Sequence, residues 1–109
     1  MAVLEIPITP GVGCFREKVV LNGVAFNLRF AWNTRAARWF MDIEDSAGAQ
    51  LLVGQELELG WPVLARYRGT IAGLPAGEFL PYNEYAADQP LSLENFGVDG
   101  KLLYVEAAP

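Results

Sequence analysis

Few side-chain types carry reactive chemistry, and this sequence is sparing with them. Its 109 residues include no histidine and one cysteine. Without histidine neither a Ser-His-Asp nor a Cys-His arrangement can form, and the commonest zinc ligand is missing. Cys14 has Arg16 and Lys18 close in sequence. A thiol becomes a nucleophile only where its pKa is lowered, and a half-buried thiol in a strand is the simpler expectation. Asp42 and Glu44 lie two residues apart, so in a strand they project from one face, with Asp45 beside them. Such a pair suits a hard cation or acid–base work. No calcium loop surrounds it, and Arg38 falls on the same face to neutralise it, so a solvated strand face is expected. Gly11-Val12-Gly13 is followed by neither Gly-Lys-Ser/Thr nor a helix, which excludes a phosphate loop. No catalytic, cofactor-binding or metal-ligating residue is assigned, and no enzyme activity is expected.

A second kind of chemistry is recognition. Phe26, Phe30, Trp32 and Trp39, with Arg29, Arg35 and Arg38, have the composition of a base-stacking surface. On an OB-like barrel they would bind single-stranded nucleic acid or an oligosaccharide. Charge argues against nucleic acid: 13 acidic residues against 8 basic give a net charge of −5, whereas phosphate binding needs a basic field. Alternating aromatics in a strand are more simply a core. Asn33, Arg35 and Arg38 supply several hydrogen-bond donors around one turn. Arg35 suits a bidentate bond to a carboxylate, either inside the fold or on a neighbouring subunit, and the sequence leaves both readings open.

The elements that would position these residues are strands. Hydrophobic residues make up 52% and charged residues 19%, which argues against disorder. A chain of this length forms one domain and buries about 65% of its unfolded surface. A lone cysteine closes no internal disulfide, so a cytoplasmic fold is expected over a disulfide-stapled secreted one. The N-terminal stretch lacks a basic start and a long apolar run, so no signal peptide is expected. No apolar run approaches the ~18 residues of a membrane span.

Strands are expected over residues 2–8, 15–21, 24–32, 38–45, 51–53 (with 56–59 as an extension), 78–85 and 101–107. Asn22-Gly23 between apolar runs is a strong hairpin signal. In 24–32, Phe26, Leu28, Phe30 and Trp32 share one face. In 38–45, Trp39, Met41 and Ile43 share one face, while Phe40 lies on the mixed face as a partly covered or contact residue. Pro81 interrupts residues 78–85. Residues 63–68 hold at most one short helical turn. The expectation is a single all-β domain over residues 1–109, a small antiparallel barrel or sandwich of about six or seven strands, with a loop-rich segment over 69–100. Leu74, Phe79, Leu80, Tyr82 and Tyr85 crowd that segment among proline and glycine. They either form an exposed contact surface or cover an open barrel end.

The residues also carry a resemblance. Ile6-Pro7, Asn22-Gly23, Trp32-Asn33, Arg35 with Trp39-Phe40, and Asp42 through Gly48 form one spaced pattern. Leu51-Leu52 with Gly54, Tyr67-Arg68 and Asn95-Phe96-Gly97 continue it. The chain resembles the phage baseplate plug family, small proteins of contractile-tailed bacteriophages. Ala37 stands where that pattern has glycine, and residues 69–90 match it poorly. The resemblance implies a non-enzymatic virion component at the baseplate hub or lower end of the tail tube, assembled in the host cytoplasm. Its implied partners are hub and tail-tube proteins, met in several symmetric copies by packing and edge-strand pairing. Neither cofactor, membrane nor nucleic acid is implied. The expected contact residues are Arg35, Arg38, Phe40, Leu74, Phe79, Leu80, Tyr82 and Tyr85.

Overall fold

Alternation along two neighbouring strands decides the architecture. In a computed structural model, which describes residues 3–84 and 88–107, strand β3 spans Val24–Asn33 and β4 spans Arg38–Asp45. Phe26, Leu28 and Phe30 of β3 and Trp39, Met41 and Ile43 of β4 are buried. Phe30 lies opposite Met41, and Leu28 opposite Ile43, so one continuous apolar face results. The other strands are β1 (Val3–Glu5), β2 (Cys14–Leu21), β5 (Gln50–Glu56), β6 (Glu78–Asn83) and β7 (Gly100–Val105). A 3₁₀ turn covers Ala65–Tyr67, within the stretch expected to be helical. The fold is therefore all-β, with seven strands among the described residues, in two antiparallel sheets of order β2-β3-β4-β5 and β1-β7-β6. Among the described residues no strand pairing joins the two sheets.

The hairpin between β2 and β3 turns at Asn22 and Gly23, with φ of 50° and 79°. Positive φ at both positions gives the twist that suits adjoining strands. The β4–β5 pairing slips beyond Met41, where Gly54 takes a φ of 71°. Its N–H donates to Asp42 Oδ1 at 2.7 Å, so a side chain satisfies the backbone group that the slip leaves unpaired.

Strand β6 runs straight through Pro81, against the expectation of an interruption. The Pro81 carbonyl accepts from Gly60 N–H at 2.9 Å, on the side away from β7. Its nitrogen faces the same way, so no bond to β7 is lost. Val63 N–H donates to the Phe79 carbonyl at 3.1 Å, and residues 60–63 thereby cover the outer edge of β6.

Buried residues of both sheets form one cluster. At one end Phe96 packs between Phe30 and Trp39, with ring centroids 5.9 and 5.1 Å away. Trp39 Nε1–H donates to the Ser92 carbonyl at 2.9 Å. At the other end a polar clasp links the sheets. The Tyr104 hydroxyl on β7 donates to Asn22 Oδ1 at 2.6 Å and accepts from Gly77 N–H at 2.6 Å. Asn22 Oδ1 also accepts from Ala107 N–H, and Asn22 Nδ2 donates to the Ala107 carbonyl, each at 3.2 Å.

Burial pushes the Tyr104 hydroxyl above its ordinary pKa, opposed by the Gly77 bond and by Arg68. A raised folded-state pKa contributes stability that is complete below about pH 10 and is lost as pH rises through the folded value. Tyr104→Phe leaves the Gly77 N–H without its partner, so we predict a loss of about 1–3 kcal/mol at neutral pH. It reads as a lower urea midpoint at constant slope. Above about pH 10 the difference from wild type should narrow, since only the wild type loses the clasp by ionisation.

Candidate functional site

Asp42 and Glu44 lie on the outer face of the four-stranded sheet and are only 8% and 7% exposed. The register sets Arg29 opposite Asp42, with Nη1 3.2 Å from Oδ2. Arg16 Nη1 lies 3.0 Å from Glu44 Oε1. The second Asp42 oxygen holds the Gly54 N–H. Both carboxylates are thus engaged in a cross-strand ladder. Arg38, expected to neutralise them, bonds Glu56 at 2.6 Å instead. The reason is register: Arg38 lies opposite Asn33 at the strand end, while Glu56 on β5 lies opposite the adjacent Phe40. Among the described residues no group of His, Cys, Asp and Glu is placed to hold a metal ion. Cys14 is exposed at the start of β2, not half-buried as expected, because it falls on the outer face with Arg16 and Lys18.

The aromatics of β3 and β4 follow the core expectation and not the stacking one. Phe26, Phe30 and Trp39 point into the core, and Trp32 is half-buried with its ring 5.6 Å from Trp39. An exposed face of Trp39 with arginines, which a nucleic-acid or oligosaccharide site on these strands requires, does not exist. Phe40 is half-buried on the outer face.

The β3–β4 turn resolves the two arginines differently. Asn33 Oδ1 accepts from Ala36 N–H at 2.9 Å and braces the turn, and Ala37 takes a φ of 55°. Arg38 is held internally by Glu56. Arg35 is exposed and makes no bond among the described residues.

The late apolar residues separate by strand alternation. Phe79 is fully buried, its ring 5.1 Å from Tyr104, so its place among exposed contact residues is corrected. Leu74 is half-buried against the core. Leu80 and Tyr82 are half-buried on the outer face of the three-stranded sheet, opposite Leu103 and Lys101. Tyr85 lies outside the described residues. Val3 and Val105 pair on that same outer face. Its charges sit at the rim: Lys101 Nζ is 3.8 Å from Glu5 Oε2, and Glu78 turns its carboxylate to the N–H groups of Leu64 and Phe79. One outer face is therefore a charged ladder and the other largely apolar.

Trp61 is 60% exposed and was not singled out by sequence reasoning. Its position between Gly60 and Pro62 was the available signal, because such a tripeptide fits neither a strand interior nor a helix.

Other residues of the recurring pattern prove to hold the fold. The Tyr67 hydroxyl donates to Gln55, and Arg68 donates to the carbonyls of Pro75 and Gly77. Asn95 Oδ1 accepts from Ser92 N–H at 2.7 Å, and its Nδ2 donates to the Pro90 carbonyl at 3.0 Å.

A family model described as cyanophage baseplate Pam3 plug gp18 matches residues 3–107, and the chain belongs to that family. No curated protein matches the chain.

The turn supplies two predictions. Left-handed backbone costs an L-residue about 1–2 kcal/mol and glycine far less. Ala37→Gly should therefore raise stability by about 0.5–1 kcal/mol net of the added chain entropy, seen as a higher melting temperature. Arg35→Met should leave the melting temperature unchanged. Arg38→Met should cost about 0.2–1 kcal/mol, the range of exposed ion pairs, and high salt should remove that difference.

Proposed function

We propose that this member of the cyanophage baseplate plug family is a structural component of a contractile-tail baseplate. It sits at the hub or the lower end of the tail tube and acts through protein–protein contacts, not catalysis. The family match over residues 3–107 carries this reading. Its partners are hub and tail-tube proteins, met in several symmetric copies within the virion.

The contact surface is the outer face of the three-stranded sheet. Leu80 and Tyr82 lie there with Leu103, Val105 and the exposed Val3. Half-buried apolar side chains grouped around the exposed Val3 on one sheet, beside the charged ladder on the other, favour association through the former. Edge-strand pairing is a weaker route for β2. That edge carries Arg16 and Lys18 outward and the half-buried Glu17 on the inner side, an arrangement that discourages pairing. The rival reading, a nucleic-acid or oligosaccharide module, loses its stacking residues to the core.

The test uses phage particles. Deleting the gene should give particles with absent or defective baseplates by negative-stain microscopy. A Leu80→Asp/Tyr82→Asp double variant should melt within about 5 °C of wild type, because both sites face outward, yet be missing from purified virions. Normal infectious tails after deletion would refute the structural role. Wild-type incorporation of the double variant would refute the assigned face.

A further inference from the structure

A groove of about 520 Å³ opens beside the β3–β4 turn. Ala36 and Ala37 form one wall, residues 56–59 another, and Asp88, Pro90 and Leu91 a third. Its floor is apolar: Leu57 and Leu91 are buried beneath it, and Leu59 packs half-buried against the core. Its lining carries three carboxylates, Glu56, Glu58 and Asp88, against one guanidinium, Arg38. Arg38 and Glu56 engage one another. Glu58 and Asp88 are exposed on separate segments and have no partner among the described residues.

Glu58 also forms a wall of a second hollow, lined by Trp61, Pro62 and Arg66. The turn that carries both residues is fixed: Trp61 N–H donates to the Glu58 carbonyl at 3.1 Å, and Gly60 N–H anchors it to Pro81 of β6. The exposed indole is therefore presented by rigid backbone.

We propose that these two hollows receive one extended segment of a neighbouring protein that carries a lysine or arginine beside an apolar residue. An apolar floor with exposed carboxylates at the rim is the complement of a long cationic side chain. Its aliphatic stem covers Leu57 and Leu91 while its head reaches Glu58 and Asp88. A wholly apolar segment would desolvate two carboxylates without compensation, and an acidic one would be repelled. The apolar neighbour passes Glu58 and packs on Trp61, a residue type enriched where binding energy concentrates. Arg66 beside Trp61 directs the cation to the groove and not to the second hollow. The inference rests on the structural reading above and names the chemistry of one partner segment.

The direct test is an NMR titration with the blocked tripeptide acetyl-Leu-Arg-Leu-amide and its citrulline counterpart, which is neutral and of the same shape. The arginine peptide should shift the Trp61 indole N–H together with the amides of Ala36, Ala37 and Glu58. Citrulline, or the exposed Glu58→Gln/Asp88→Asn pair, should weaken binding by about threefold to fivefold, the scale of a solvent-accessible ion pair. Equal binding of both peptides, shifts elsewhere, or no shifts would overturn the proposal. Particles separate this outcome from the structural role. If the arginine peptide binds no better than its citrulline counterpart while gene deletion still removes baseplates, the groove assignment fails and the structural role stands. If deletion leaves baseplates intact, the structural role itself fails.

Discussion

The Tyr104 hydroxyl is the group on which the joining of the two sheets turns. It serves as donor to Asn22 and acceptor from Gly77 at once, inside an apolar setting where either group alone would be costly. Asn22 is at the hairpin tip of one sheet, and Tyr104 is in the central strand of the other. No ladder joins the sheets among the described residues, so this clasp, the Trp39–Ser92 bond and the bonds of Gly60 and Val63 to β6 hold their placement around the shared core. The clasp also explains Gly77. A Cβ there would lie 2.2 Å from the Val105 carbonyl and 2.7 Å from the Tyr104 ring, so only glycine lets the loop press onto β7.

With the core closed this way, the chain is left with two outer faces of opposite character. On the four-stranded sheet, the guanidinium groups of Arg29 and Arg16 neutralise Asp42 and Glu44. Burial of these acids is tolerable because each has a charged partner, and removing one arginine would leave a poorly hydrated charge. On the three-stranded sheet the corresponding rows place Val3, Leu80, Tyr82, Leu103 and Val105 beside Glu5, Glu78 and Lys101.

Much of the fold is legible in the sequence because its strongest signals are local. The alternation of β3 and β4 and the Asn22-Gly23 turn are read within a few residues. Non-local pairing decides the rest. Arg38 finds Glu56 only because β5 slips at Gly54, and that slip depends on the Asp42 carboxylate. Phe79 enters the core because β6 continues through Pro81, which depends on residues 60–63 occupying its edge. Of the candidate site, Leu80 and Tyr82 were legible as large apolar residues near the surface, but not the face they share with Leu103. The groove was not legible, since Ala37, Glu58 and Asp88 meet only in three dimensions. The recurring pattern that signals the family is mostly made of turn braces and core aromatics, so it reports the scaffold more than the contact.

The most direct measurement is hydroxyl-radical footprinting of the protein alone and within assembled baseplates. Oxidation of Leu80, Tyr82 and Leu103 should fall strongly on assembly, while Phe40 and Cys14 on the charged face should stay as reactive as in the free protein. Protection of Phe40 and Cys14 with Leu80, Tyr82 and Leu103 unchanged would contradict the assigned face.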